Sequence, residues 1–159
     1  MSLILSARPL SEAAFAPFGE VAVVGTNRSR VGERLGDARE AARPHLEIVT
    51  IAPRSLPFEA EQMERHVFST QSFIPIDVAS YLLLVAPGGS DRPDISRAVA
   101  FIARADQAIT YTAGTWHLPM APLDREGRFV VLTWRAGDRN DEEFVAVEAA
   151  IRTQADHAH

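Results

Sequence analysis

Glu64 and His66 stand two residues apart in an otherwise apolar, strand-like stretch, residues 63–76, and Gln71 follows five residues after the histidine. Side chains on a strand alternate between faces, so a carboxylate and an imidazole share one face while Arg65 and Val67 turn to the other. Past the turn-prone Ser69 and Thr70, Gln71 returns a carbonyl oxygen to the same pocket, with the apolar Phe73 and Ile74 behind it. A second polar island, Gly114-Thr115-Trp116-His117, lies where a turn meets a strand, and Gly114 supplies the backbone freedom that turn needs. Imidazole and carboxylate can divide the work of base and acid if the pocket pushes their pKa values apart. Two imidazoles plus a carboxylate also suit a divalent metal such as nickel, manganese, iron or zinc.

Those groups need strands to hold them, and strands dominate the pattern. Residues 46–52 alternate and are β-branched, 80–86 are apolar on consecutive positions as in a strand covered on both faces, and 107–112 and 128–135 read as strands bounded by turns. Residues 20–24 form a first strand after a short helix capped by Ser11, with Phe15 on its buried face. Residues 25–43 are polar and aperiodic, a long loop with one helical turn, and 54–62 are a connection. Residues 98–103 fit strand or helix, and in the tail 144–147 favour strand while 148–154 favour helix. Many short strands with few helices point to an antiparallel sandwich or barrel with a small ligand in its mouth.

The whole chain, 159 residues and 17.4 kDa, fits one domain spanning 1–159. All 16 basic residues are arginine, scattered among 21 acidic ones for a net charge of −5, which disfavours nucleic acid as a partner. Cysteine is absent, removing disulfides, thiolate metal sites and cysteine nucleophiles together. No segment has the length and apolarity of a membrane span, and the first residues lack a signal-peptide pattern, so the expected location is the cytoplasm.

The spacing Glu64-x-His66-x4-Gln71, with His117 in a Gly-x-x-His motif, resembles the four-ligand arrangement of cupins, with Glu64 where a histidine is usual and Gln71 where a glutamate is usual. Glu64-Arg65-His66, then residues 70–75, then Tyr111 and Trp116-His117-x-Pro119, are together similar to the ureidoglycolate lyase family. The similarity runs from Leu10-Ser11 to about Arg135. It implies a mainly β, cupin-like antiparallel barrel of jelly-roll type with a few short helices, commonly a homodimer. It also implies cleavage of (S)-ureidoglycolate to glyoxylate and urea in allantoin and purine catabolism.

Under that resemblance His66, His117 and Glu64 carry the acid–base chemistry, either imidazole being the base, and Gln71 holds the ureido group. Asn27 and Arg34 match an Asn and an Arg of the family's N-terminal loop. Arg135 matches a late family arginine, but Trp134 precedes it where aspartate is common. Tyr111 joins the substrate-binding set, although packing against the barrel is its blander role, as for Trp116. A metal is not required; where one binds, Glu64, His66, Gln71 and His117 are its ligands.

Competing readings are a metal-dependent cupin isomerase or dioxygenase, and a non-catalytic binder of small acids. Taken singly, a histidine among aromatics is more often structural than catalytic. Arg65 reads as an outer-face or interface residue, His45 as a loop residue, and Arg28, Arg30, Arg39 and Arg43 as solvated loop charges.

Overall fold

The computed structural model describes residues 3–25, 27–88 and 91–153. At 55% strand and 5% helix, the protein positions its functional groups with sheet. Twelve strands follow in order: β1 Leu3–Pro9, β2 Gly19–Val23, β3 Arg43–Ile51, β4 Phe58–Arg65, β5 Gln71–Asp77, β6 Ser80–Ala86, β7 Val99–Arg104, β8 Gln107–Tyr111, β9 Trp116–His117, β10 Ala121–Leu123, β11 Gly127–Arg135 and β12 Glu143–Thr153. One short helix, α1 Glu12–Phe15, starts at Ser11, whose hydroxyl accepts from the Ala14 amide, and buries Phe15.

One sheet has the order β10-β6-β7-β1-β12-β4-β9, and an extra β6–β9 pairing closes six of those strands into a ring. The second sheet, β2-β8-β5-β11-β3, packs on the outside of that ring. Two cores result. Leu82, Leu84 and Ala86 of β6 join Ala7, Ala60, Met63, Trp116 and Ile151 inside the ring. Tyr81, Leu83 and Val85 join Phe73, Ile109, Tyr111, Phe129 and Val131 between the sheets. Strand β6 is therefore buried on both faces, which is why its run 81–86 is apolar at every position.

The expected antiparallel barrel is observed, with one departure: β1 runs parallel to both β12 and β7, whereas the other strand pairings are antiparallel. Strand β1 itself is an element that the sequence pattern did not reveal. Three further expectations are corrected. Residues 58–62 belong to β4, not to a connection. The loop from Val24 to Ala42 contains no helical turn among its described residues. Residues 98–103, left open between strand and helix, fall almost entirely in β7.

The helical reading of 148–154, whose last residue lies outside the described ones, fails over 148–153 because β12 lies between two neighbours, Ala149 pairing with Leu3 on one side and Ala60 on the other. Ladder hydrogen bonds on both edges override the weak local preference of the Glu148-Ala149-Ala150 run. No helix among the described residues is long and apolar enough to cross a membrane.

Burial on both faces of β6 has a measurable consequence. Leu83→Ala and Leu84→Ala empty different cores, and each is expected to cost about 2–5 kcal/mol in urea unfolding. A near-neutral result for either would contradict the two-core arrangement.

Candidate active site

Alternation at the end of β4 sends Met63 and Arg65 to one side and Glu64 to the other. Met63 enters the ring core, and the Arg65 guanidinium lies 4.4 Å from the Trp116 ring centroid while its Nε donates to Glu143 at 2.8 Å. Arg65 is thus buried, correcting its expected outer-face position: the ring interior takes the face opposite Glu64. The two-residue β9 is inserted between β4 and β6, His117 pairing with both Glu64 and Val85. Trp116 fills the ring, so its neighbour His117 must face the gap between the sheets. There the His117 ring stacks on Tyr111, centroids 4.0 Å apart, and Tyr111 pairs in register with Gln71 across β8 and β5.

The turn into β9 is tied back to the same place. Gly114 adopts φ +83°, a conformation that disfavours other residues, and its amide donates to the His66 carbonyl at 2.8 Å. One ligand-type atom from each of Glu64, His66 and His117 lies within 4.8 Å of the others. The sequence-derived trio meets in space.

Hydrogen bonds determine where the ring protons sit. His66 Nδ1 lies 3.0 Å from the Asp141 carbonyl, and His117 Nδ1 lies 2.9 Å from the Thr115 carbonyl. A carbonyl oxygen can only accept, so both Nδ1 atoms carry hydrogen and both Nε2 atoms turn a lone pair toward the site when the rings are neutral. Each Nε2 is buried without a hydrogen-bond partner, as are Gln71 Oε1 and the Tyr111 hydroxyl. His117 Nε2 is 3.3 Å from Glu64 Oε1, an ion-pair distance without good hydrogen-bond alignment.

Burial favours the protonated form of Glu64, but the adjacent His117 imidazole holds its carboxyl below the usual range. Burial, then the neighbouring His117, pushes the His66 imidazole down, so it is neutral at neutral pH. Burial likewise pushes the Tyr111 phenol far up, leaving a neutral hydroxyl. The arrangement offers an anionic carboxylate, a neutral imidazole with a free lone pair, and a second imidazole whose added proton would face Glu64.

The remaining sequence candidates fall in different places. Arg135 ends β11, pairs with Glu142 at 3.6 Å and contributes to the field on Glu64. Arg34 lines a separate cavity of about 280 Å³ with Glu20, Thr70, Thr110 and Thr112. Asn27 is exposed beside a groove formed with Val23, Val31 and Ile74. Neither lining includes Glu64, His66, Gln71 or His117. His45, expected in a loop, is an exposed residue of β3.

Two groups that orient the imidazoles, the carbonyls of Asp141 and Thr115, escape sequence reasoning because every residue has a carbonyl. Arg39, expected to be a solvated charge, is instead largely buried and pairs with both Asp37 and Asp141.

The donor set fits a cation. Two imidazole Nε2 atoms, a carboxylate and an amide oxygen are acceptors, and three of the four have no hydrogen-bond donor in the fold while the fourth, the Glu64 carboxylate, meets only His117.

Known proteins share this chain's pattern over almost its full length. The family model described as ureidoglycolate lyase matches residues 2–154. A "Ureidoglycolate lyase" of Rhizobium leguminosarum bv. trifolii is 34% identical over 155 residues, 91% of this chain and 92% of the relative. Its namesake in Burkholderia mallei is 36% identical over 146 residues, 84% of each, and that of Burkholderia cepacia is 35% identical over 159 residues, 92% and 88%. With the paired imidazoles and Glu64 assembled as the motifs required, the chain belongs to the ureidoglycolate lyase family.

Proposed function

We propose that this protein cleaves (S)-ureidoglycolate to glyoxylate and urea in the cytoplasm, within allantoin and purine catabolism. The observation that carries the reading is the juxtaposition of a neutral His66, its Nε2 free, with a His117–Glu64 pair. The substrate bears a hydroxyl and a urea nitrogen on one carbon beside a carboxylate. Arg135 is the arginine whose charge reaches the trio, and a guanidinium matches a carboxylate in two-point fashion. Gln71 and the neutral Tyr111 hydroxyl supply polar contacts for the ureido group.

His66 Nε2 takes the hydroxyl proton, the C–O bond becomes a carbonyl, and the C–N pair leaves with the nitrogen. A proton on His117 Nε2, stabilised by the Glu64 carboxylate, passes to that nitrogen and releases urea. Water is not consumed. The family match gives no support to an isomerase, a dioxygenase or a non-catalytic binder.

A second reading of the same residues draws on these acceptors: Glu64, His66, Gln71 and His117 would hold a divalent ion such as nickel, manganese, iron or zinc. Such an ion supplies Lewis acidity toward the substrate hydroxyl.

We also infer a homodimer formed through the outer face of the five-stranded sheet. Leu46 and Ile48 on β3 are 71% and 72% exposed, and the register sets them beside Leu132 and Val130 of β11. Strand β3 is nine residues long and is the edge of its sheet, so a second copy can cover the apolar face and the open ladder together.

Replacing His66 or His117 by alanine is expected to lower kcat for urea release by roughly 10²- to 10⁴-fold in folded protein. Wild-type kcat/KM should fall as acid protonates His66, with its inflection below the ordinary imidazole value of about 6.5. Turnover near wild type in both variants, or ammonia in place of urea, would refute the mechanism. For the ion, elemental analysis should find about one divalent metal per chain, lost in Glu64→Gln; activity that survives complete chelation leaves the imidazoles as sufficient. For the dimer, light scattering should report Ile48→Glu as monomeric, and an unchanged mass would rule out this face.

A further inference from the structure

Three segments that are distant in sequence meet around His66, and one arginine joins them. Arg39 donates from Nε and Nη2 to Asp37 at 3.0 and 2.7 Å, and its Nη2 lies 2.9 Å from Asp141. The side chains of Asp37 and Asp141 are only 1% and 8% exposed, so Arg39 separates two carboxylates that burial would otherwise leave facing each other. Only one further contact, Nη1 to Asp138 at 3.1 Å, reaches a well-exposed partner.

Each carboxylate also organises backbone. Asp141 accepts from the amides of Ala136 and Gly137 at 2.8 and 2.9 Å, closing the loop between β11 and β12, and its own carbonyl accepts from His66 Nδ1. On the other side, Asp37 bridges to Ser69, the Ala38 amide donates to the Phe68 carbonyl at 3.1 Å, and the guanidinium lies 5.2 Å from the Phe68 ring centroid. The segment that carries His66 is thereby held from both flanks.

We propose that Arg39 is a positioning residue: by bridging Asp37 and Asp141 it holds the Asp141 carbonyl against His66 Nδ1, and so keeps the His66 Nε2 lone pair directed into the site. Its route to the chemistry is entirely through other groups. Without the guanidinium, the two buried carboxylates repel, the 136–141 loop moves away, and the imidazole loses the acceptor that selects its tautomer. The proposal rests on His66 acting as the base. Lysine cannot replace the fork, because a single ammonium does not span both carboxylates.

The test labels histidine with ¹⁵N and reads the His66 tautomer by NMR, with His66→Gln used for assignment, in wild type, Arg39→Met, Arg39→Lys, Asp141→Asn and the control Asp138→Asn. Wild type and the control should show His66 protonated at Nδ1. Arg39→Met should give mixed tautomers and a kcat lower by about 10- to 100-fold, with KM within about twofold, and Arg39→Lys should rescue little. A single Nδ1–H tautomer and unchanged kcat in folded Arg39→Met overturn the proposal. Should that variant not fold, Arg39→Lys and Asp141→Asn decide: both retaining the tautomer and kcat overturns it, and either losing them supports it. A shifted tautomer with full activity, together with an active His66→Gln, upholds the positioning and removes the base assignment instead.

Discussion

The insertion of two residues, Trp116 and His117, between β4 and β6 is the constraint on which the rest of the structure depends. Their ladder pairings with Glu64, Val85 and Ala86 close the ring. Because neighbouring side chains on a strand must point oppositely, the same two residues divide between the molecule's interiors: an indole that fills the ring and an imidazole that enters the gap beneath the second sheet. Closure and site formation are one event. A slip of one residue in β9 would place the indole against Tyr111 and the imidazole among Leu82 and Leu84, losing both at once.

The site places ionisable groups where water is scarce, and the surroundings determine which charges persist. Desolvation acts against the charged forms of Glu64 and His66, and at Glu64 the neighbouring His117 outweighs it, so the carboxylate keeps its negative form. His66 has no carboxylate in contact and is left neutral. Two backbone carbonyls, those of Asp141 and Thr115, orient the rings without adding charge. The Asp141 carbonyl that fixes the His66 tautomer also favours the charged ring, but burial and the other imidazole outweigh it, so the ring is oriented and still left neutral.

The Asp37–Arg39–Asp141 cluster shows how a loop joins this arrangement. The segment between β2 and β3 has no helix or strand among its described residues, yet the Arg39 guanidinium reaches the loop between β11 and β12 as well as its own neighbour Asp37. A buried arginine between two carboxylates stabilises the fold only as a complete set, since removing one partner strands another charge. Loop geometry and site geometry are coupled through that condition.

The β-rich class, the doubly covered strand at 80–86, the cap at Ser11 and the meeting of Glu64, His66 and His117 were legible because each leaves a local mark: alternation, continuous apolarity, a capping residue, or chemistry at fixed spacing. Strand β1 and the strand character of 148–153 left none, since partners nearly a chain length away supply their hydrogen bonds. Arg39 and Arg65 read as surface charges because an arginine's burial depends on which carboxylate or ring the fold delivers to it. The sequence by itself determined which side chains could do chemistry and that strands would carry them, because side-chain identity and period 2 are local properties. Only the tertiary structure decided that His66 is left neutral and which nitrogen of each ring faces a carbonyl, because those follow from burial and from long-range backbone contacts.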